Sequence, residues 1–127
     1  MNEATTKPTV LSVAGSDCSG LAGIQMDIRT IAGIGAHAAT AITAVTAQNS
    51  HTVLSTNAVS DSAFEAQLSA VADLDIQAVK SGLLVNALQV QALAHFVQKH
   101  AIPLIVDPVI RASSGSCLLY TSDAADE

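Results

Sequence analysis

Short apolar runs alternate with amphipathic stretches along most of this chain. Thr9–Ala14 (TVLSVA) is β-branched and aliphatic, the composition of a buried strand. A loop of glycine and hydroxyl residues follows. Ile24, Ile28 and Ile31 then recur at i, i+4 and i+7, the spacing of one helix face, and Gly33 and Gly35 stop that helix. Ala38–Ala47 (AATAITAVTA) reads as a central strand whose small residues let helices pack closely. His51–Val59, β-branched and partly alternating, predicts an edge strand or the second arm of a hairpin-like excursion.

The second half repeats the alternation. Ser62 and Glu65 have the spacing of a capping box, with Phe64, Leu68 and Val71 as the helical stripe behind them. Ile76–Ser81 is a strand ended by Gly82. Asn86 caps a helix whose apolar face includes Leu88, Ala92 and Phe96, and which ends near His100. Pro103–Val106 is the last strand, running into Asp107-Pro108. Residues 1–8 read as a lead-in without structure. Strands and helices in this order predict a parallel α/β sheet, with no internal repeat and no domain boundary.

Such a sheet says where a ligand belongs, because open parallel sheets bind beyond the carboxyl ends of their strands. Those ends are Gly15-Ser16-Asp17, Gln48-Asn49, Gly82-Leu83 and Asp107-Pro108-Val109. Turns also favour Gly, Asn and Asp, so no single end is informative. Four polar or glycine ends on one rim point to a site.

The first end carries the most chemistry. In Val13–Asp27 (VAGSDCSGLAGIQMD) a strand breaks into a glycine- and hydroxyl-rich loop that runs straight into a helix. That arrangement offers backbone N–H groups and a helix N-terminus to a polar or phosphorylated ligand. Gly15, Gly20 and Gly23 do not fit the G-x-G-x-x-G dinucleotide fingerprint. Gly15-x4-Gly20 opens like a Walker A loop, but Leu21 and Ala22 stand where Lys and Ser/Thr are required. Asp27 lies in the first turns of the helix, where the macrodipole favours a carboxylate.

Composition narrows the classes. The chain is 50% hydrophobic but only 2% aromatic, which suits Ala-, Val-, Ile- and Leu-rich strands between helices. Its length is that of one domain, and short for a complete doubly wound enzyme. The net charge is −6, with no basic stripe, so nucleic acid is not an expected partner. No run approaches the roughly 18 apolar residues of a membrane span, and MNEATTKPT has no signal-like pattern, so a cytoplasmic protein without membrane partners is expected.

The tail Cys117–Glu127 (CLLYTSDAADE) resembles the in-frame translation of a transposase-type sequencing-library adapter, so it is set aside from the fold. The natural sequence is then expected to end near Ser116, leaving eight acidic residues against five basic ones. Cys18 becomes the sole cysteine, with no partner at disulfide or metal spacing. His37, His51, His95 and His100 are scattered and read as surface or packing residues. Met26 reads as helix packing.

Three blocks carry a resemblance: AGSDCSGLAGIQMDIRT, ITAVTAQNS and VDPVIRASSG, with KSGLL between the second and third. They are similar to the hydroxymethylpyrimidine/phosphomethylpyrimidine kinases of the ribokinase-like superfamily, whose first loop typically reads A-G-S/T-D-x-S-G-G-A-G-I-Q-A-D. The resemblance covers residues 9–116. The third block is shared more widely with pyridoxal kinases. Leu83 stands for the usual Met, Leu21 for Gly, Met26 for Ala and Arg29 for Lys. Leu21 is the departure expected to matter, since it puts a side chain into the glycine loop, where it would narrow the pocket.

The resemblance implies a ribokinase-like three-layer α/β/α sandwich with a mostly parallel sheet, incomplete here. Residues 1–116 would be the N-terminal part of a pyrimidine kinase domain. It implies ATP-dependent phosphorylation of 4-amino-5-hydroxymethyl-2-methylpyrimidine and of its monophosphate in thiamine biosynthesis, with ATP and Mg²⁺, by a full-length homo-oligomer, expected to be a dimer. Gln48 would recognise the aminopyrimidine, because a carboxamide both donates and accepts. Asp27 would contact the ligand's polar edge, Gly15, Ala22, Thr46 and Val109 would line the pocket, and Leu83 would add an apolar wall. Asp107 would lie near the phosphates and hold Mg²⁺ through water, and Ser113 and Ser114 would border the phosphates. In the family Cys18 occupies a variable place and is not a nucleophile. The catalytic residues would lie downstream, so this fragment alone is expected to be inactive. The alternatives are a pyridoxal kinase-like vitamin kinase and a non-catalytic small-ligand-binding module.

Overall fold

In the computed structural model, which describes residues 7–108, five strands and three helices alternate. They are β1 (Thr9–Asp17), α1 (Gly23–Gly33), β2 (His37–Gln48), β3 (Val53–Ala58), α2 (Asp61–Val71), β4 (Ile76–Ser81), α3 (Ala87–His100) and β5 (Leu104–Val106). Residues 1–6, Val109, Ser113, Ser114 and the tail 117–127 lie outside the described residues. The sheet order is β3-β2-β1-β4-β5. β3 pairs antiparallel with β2, and every other pairing is parallel. The hairpin-like excursion at 51–59 is therefore the edge strand β3, and the run 38–47 sits one place from the centre, which β1 occupies.

The chain leaves β1 towards β2 by way of α1, and later crosses back to β4 on the other side of β1. α1 covers the sheet face that bears Ser12, while α2 and α3 cover the face that bears Leu11 and Val13. The strand order thus reverses between β1 and β4, and ligand crevices in such sheets open at that point. Leu11, Val13, Val79, Phe64, Leu68, Leu93 and Phe96 form the main core, on the α2–α3 side. Among the described residues no helix is long and apolar enough to cross a membrane.

Several local expectations are corrected. α2 is capped by Ser60, whose hydroxyl accepts from the Ala63 N–H at 3.1 Å, and Ser62 lies inside the helix. The buried face of α1 is Ile24 and Ile31, with Asp27 turned in beside them toward Ser12, so Ile28 rolls out to 40% exposure. Met26 also faces outward and is not packed. α3 is capped by Asn86 as expected, through Oδ1 accepting from the Gln89 N–H at 2.9 Å. Its most buried side chains, however, are Gln89, Leu93 and Phe96, with Leu88 and Ala92 flanking them half-buried.

β1 also runs further than its apolar segment, to Asp17, because β2 continues beside it after a register shift. Ala14 pairs with Ile42, but Ser16 pairs with Val45: β1 advances two residues while β2 advances three. Long carboxamides bond backbone groups beside this shift. Gln67 of α2 accepts from the Ile42 N–H at 2.8 Å and donates to its carbonyl at 2.9 Å. Gln89, fully buried, donates to the Thr43 carbonyl at 3.0 Å and accepts from the Val85 N–H at 2.9 Å.

Replacing Gln89 by Leu leaves the Val85 N–H unpaired, while the Thr43 carbonyl keeps the Val59 N–H at 3.0 Å. The expected loss is about 1–2 kcal/mol, the cost of one orphaned, part-buried donor. Urea unfolding of the full-length protein measures it; an unchanged midpoint would contradict this role for the carboxamide.

Candidate functional site

Gln48 ends β2, Gly15-Ser16-Asp17 ends β1, Gly82-Leu83 follows β4 and Asp107 follows β5, all on one rim of the sheet. Asp17 builds the loop that starts there. Its carboxylate is 2% exposed and accepts from the Ser19 N–H at 2.9 Å, the Ser19 hydroxyl at 2.8 Å and the Leu21 N–H at 3.1 Å. Gln25, one turn into α1, accepts from the Asp17 N–H and donates to the Ser16 hydroxyl, both at 2.8 Å. The loop therefore rests on side chains reaching back to it from both ends.

Two glycines are required by its path. Gly23 opens α1 with φ +60°, and a Cβ there would lie 2.3 Å from the Gly15 carbonyl oxygen. Gly20 has φ +79° but faces open space. Leu21 needs no left-handed backbone and is 54% exposed, so its side chain is not packed into the loop.

A hydrogen-bonded column sets Gln48. Its Nε2 donates to the Thr46 hydroxyl at 2.7 Å, and that hydroxyl, 2% exposed, donates to the Ser16 carbonyl at 2.7 Å. The second amide hydrogen of Gln48 and its carbonyl oxygen have no partner among the described residues. Cys18 and the Gln48 backbone exchange contacts of 3.3 and 3.4 Å, tying the loop to the end of β2. Asn49 serves the β2–β3 turn, its oxygen accepting from the His51 and Thr52 N–H groups. It is a turn residue.

Gly15 and Leu83 meet at the β1–β4 crevice. A Cβ on Gly15 would come 3.1 Å from Leu83 Cδ2, and Leu83, 4% exposed, packs on Ala44. The Thr43 hydroxyl donates to the Leu83 carbonyl at 2.8 Å and fixes that wall from behind.

Asp27 lies in the second turn of α1 and is engaged. Ser12 Oγ donates to it at 2.6 Å, and Lys80 Nζ lies 2.9 and 3.1 Å from its two oxygens. Lys80 also stands 3.9 Å from the exposed carboxylate of Asp107. Among the described residues no group of three or more His, Cys, Asp or Glu could enclose a metal. A lone exposed carboxylate fits Mg²⁺ held mainly by water and phosphate oxygens, and does not fit an all-protein cage. All four histidines are exposed, with the His100 ring 4.8 Å from that of Phe96 at a tilt of 50°. A groove of about 220 Å³ between α2 and α3, lined by Glu65, Leu68, His95 and Phe96, shares no residue with the rim.

Gly15, Thr46, Gln48 and Leu83 are thus brought together around β2, β1 and β4, with Ala22 at the start of α1 and Asp27 below the rim. Val109, Ser113 and Ser114 lie outside the described residues. Asp17, Gln25, Thr43, Lys80 and Gln89 were not among the expected site residues. Lys80 had a signal, as the one charge in a short strand, and Asp17 had one as a strand-end carboxylate. Gln25 and Gln89 had none, since they serve backbone groups and, for Gln25, the Ser16 hydroxyl, whose need for a partner leaves no mark in the sequence.

The family model described as phosphomethylpyrimidine kinase matches residues 17–126. The chain is 43% identical over 110 residues to the hydroxymethylpyrimidine/phosphomethylpyrimidine kinase of Rhizobium meliloti, covering 86% of this chain and 41% of that protein. It is 43% identical over 118 residues to the enzyme of the same name from Streptomyces coelicolor, covering 92% and 44%. The chain thus spans well under half the length of these curated relatives. Among solved structures it is similar to the phosphomethylpyrimidine kinase of Clostridium difficile, with TM-score 0.79 and 37% identity over 89% of this chain and 50% of that one. It is also similar to the Staphylococcus aureus pyridoxal kinase solved with AMP-PCP and pyridoxal, with TM-score 0.75 and 25% identity over 80% of this chain and 39% of that one. The ribokinase-like fold expected from the sequence is borne out.

The loop geometry separates its two positive-φ glycines. Gly23→Ala combines a left-handed backbone with a carbonyl clash and is expected to cost roughly 2–4 kcal/mol. Gly20→Ala meets only the backbone penalty, about 1–2 kcal/mol. Denaturant unfolding of both variants in the full-length protein checks the order; equal losses would contradict it.

Proposed function

Because the chain belongs to the phosphomethylpyrimidine kinase family, we propose that the complete protein phosphorylates 4-amino-5-hydroxymethyl-2-methylpyrimidine and then its monophosphate, using ATP. The observation that carries this reading is the Gln48 carboxamide, anchored by one N–H to Thr46 and with the rest of its donor–acceptor edge uncommitted among the described residues. That edge matches an exocyclic amine beside a ring nitrogen. Leu83, packed on Gly15 and Ala44, gives the flat ring an apolar wall. Gly15, Ala22 and Thr46 would line the same pocket and Asp27 would face the ligand's polar edge; Val109, expected beside them, lies outside the described residues.

Phosphoryl transfer is mostly positioning and charge stabilisation, and Mg²⁺, when bound, supplies charge neutralisation between the phosphates. Asp107 would hold it through water, with Ser113 and Ser114 near the phosphates. The residues described here bind and orient the acceptor. The groups that activate its hydroxyl and stabilise the transferring phosphoryl belong to the downstream half of the domain.

We further propose that residues 1–116 are the N-terminal part of the kinase domain and that 117–127 are adapter-derived, although the family match runs on to residue 126. The proposed setting is a cytoplasmic homo-oligomer, a dimer, without nucleic-acid or membrane partners. A second reading, a pyridoxal kinase-like vitamin kinase, is favoured by the pyridoxal kinase structures that match at TM-score 0.75. Assaying the full-length enzyme with the aminopyrimidine and with pyridoxal decides between them. Turnover of pyridoxal alone would overturn the first reading, and turnover of neither would favour a binding module.

Two substitutions in the full-length enzyme test the residue roles. Gln48→Ala removes hydrogen bonds worth about 1–3 kcal/mol, so the pyrimidine KM should rise about tenfold or more. The KM for ATP should stay near its original value; an unchanged pyrimidine KM would remove Gln48 from recognition. Asp107→Asn should keep pyrimidine binding but lower Mg·ATP-dependent turnover by about a hundredfold. Wild-type turnover would reduce Asp107 to a turn residue.

A further inference from the structure

Lys80 is the one charged residue of β4 (IQAVKS), and it is held between two carboxylates from different parts of the chain. On the α1 face it is in register with Ser12 of β1 and Ile105 of β5. Its Nζ lies 2.9 and 3.1 Å from the oxygens of Asp27 and 3.9 Å from Asp107. The side chains of Lys80 and Asp27 are only 26% and 16% exposed. The next glycine serves this arrangement, since a Cβ on Gly82 would come 3.3 Å from Nζ and 3.0 Å from Ala14 Cβ. The ammonium therefore reaches along its strand to the rim, past a glycine whose missing Cβ would crowd it.

A largely buried ion pair adds little to stability compared with apolar side chains of the same volume. The positions it joins are more informative. Asp27, fixed on its other side by Ser12, belongs to the acceptor end of the site. Asp107 is where β5 delivers an exposed carboxylate towards the phosphates.

We propose that Lys80 is a positioning residue that couples the two ends of the site, holding Asp27 for the acceptor while weakening the pull of Asp107 on a divalent cation. The inference rests on the functional reading above. The ammonium reaches both oxygens of Asp27, so the carboxylate is held in one orientation. The same positive charge stands beside Asp107, and like charge opposes an arriving cation. Removing it moves the two affinities in opposite directions: the acceptor loses an oriented carboxylate, and the cation loses a competitor.

The full-length protein tests this with Lys80→Met and Lys80→Arg. Calorimetric titration with the aminopyrimidine, without nucleotide, measures the acceptor end. Mn²⁺ titrated against enzyme holding a non-hydrolysable ATP analogue, followed by electron paramagnetic resonance, measures the other. For Lys80→Met the pyrimidine Kd should rise about tenfold or more, while the Mn²⁺ Kd should fall about threefold or more. Lys80→Arg should keep both within about threefold. Both constants rising together, neither moving, or Lys80→Arg behaving like Lys80→Met would overturn the proposal. If Lys80→Met fails to fold, the neutral pair Asp27→Asn/Lys80→Met must still tighten Mn²⁺, and wild-type Mn²⁺ binding there is equally decisive. A wild-type protein that binds pyridoxal and not the aminopyrimidine sinks the substrate reading alone, and the same split is then read with pyridoxal.

Discussion

The register shift between β1 and β2 is the constraint on which the rim depends. Between Ala14 and Ser16 the central strand gains one residue less than its neighbour, so the two strands part at Gly15. Backbone groups beside the shift need partners wherever the strands do not pair them, since burial without partners would be costly. Gln67 and Gln89 meet that need from the α2–α3 side. Gln25 braces the end of β1 from α1. Beyond the shift the pairing resumes, and Ser16, Thr46 and Gln48 fall into one hydrogen-bonded column. The placement of Gln48 is thus tied through Thr46 to the strand irregularity at Gly15, and a second irregularity between Ala47 and Gln48 lies on the β3 side.

The two faces of the sheet solve different problems. On the α2–α3 side Leu11, Val13, Val79, Phe64 and Phe96 make an ordinary apolar core, and stability comes from that burial. On the α1 side the central strand contributes Ser12, β4 contributes Lys80, and α1 turns Asp27 inward to meet them. Polar groups satisfied in this way rigidify a helix against its sheet and fix its rotation. The exposure of Ile28 follows directly, since a helix cannot turn both Asp27 and Ile28 fully inward.

Legibility of the sequence divides along the same line. Ile76–Ser81 and the Asn86-capped helix were readable because apolar period, glycine stop and cap agree on one boundary. The four strand ends were readable as a rim because parallel topology puts like ends together. Ser62 misled because the capping box is a local pattern, and Ser60, two residues earlier, caps the helix through the Ala63 N–H with no Glu or Gln three residues on. Gln89 was invisible, because a polar residue in a helix looks solvent-facing unless the backbone it serves is known to lack partners. Lys80 was legible as an odd charge, but its partners are 53 positions away for Asp27 and across a strand for Asp107. Long-range pairing of that kind has no one-dimensional trace.

The departures from the family's loop and wall follow from the same geometry. Glycine is required where φ is positive or where a Cβ would strike backbone, and both conditions hold at Gly23. Neither is recorded at Leu21, whose N–H still closes the loop on Asp17. A leucine there keeps the loop's path and adds an exposed apolar side chain at the mouth of the crevice. Leu83 for methionine is a near-isosteric exchange of the kind cores tolerate, but it trades a flexible side chain for a branched one. With Gly15 close against it and Ala44 packed behind it, the stiffer wall would hold one pocket width where methionine could adapt. In the proposed site, shape selectivity would rest on Leu83 and hydrogen-bond selectivity on Gln48.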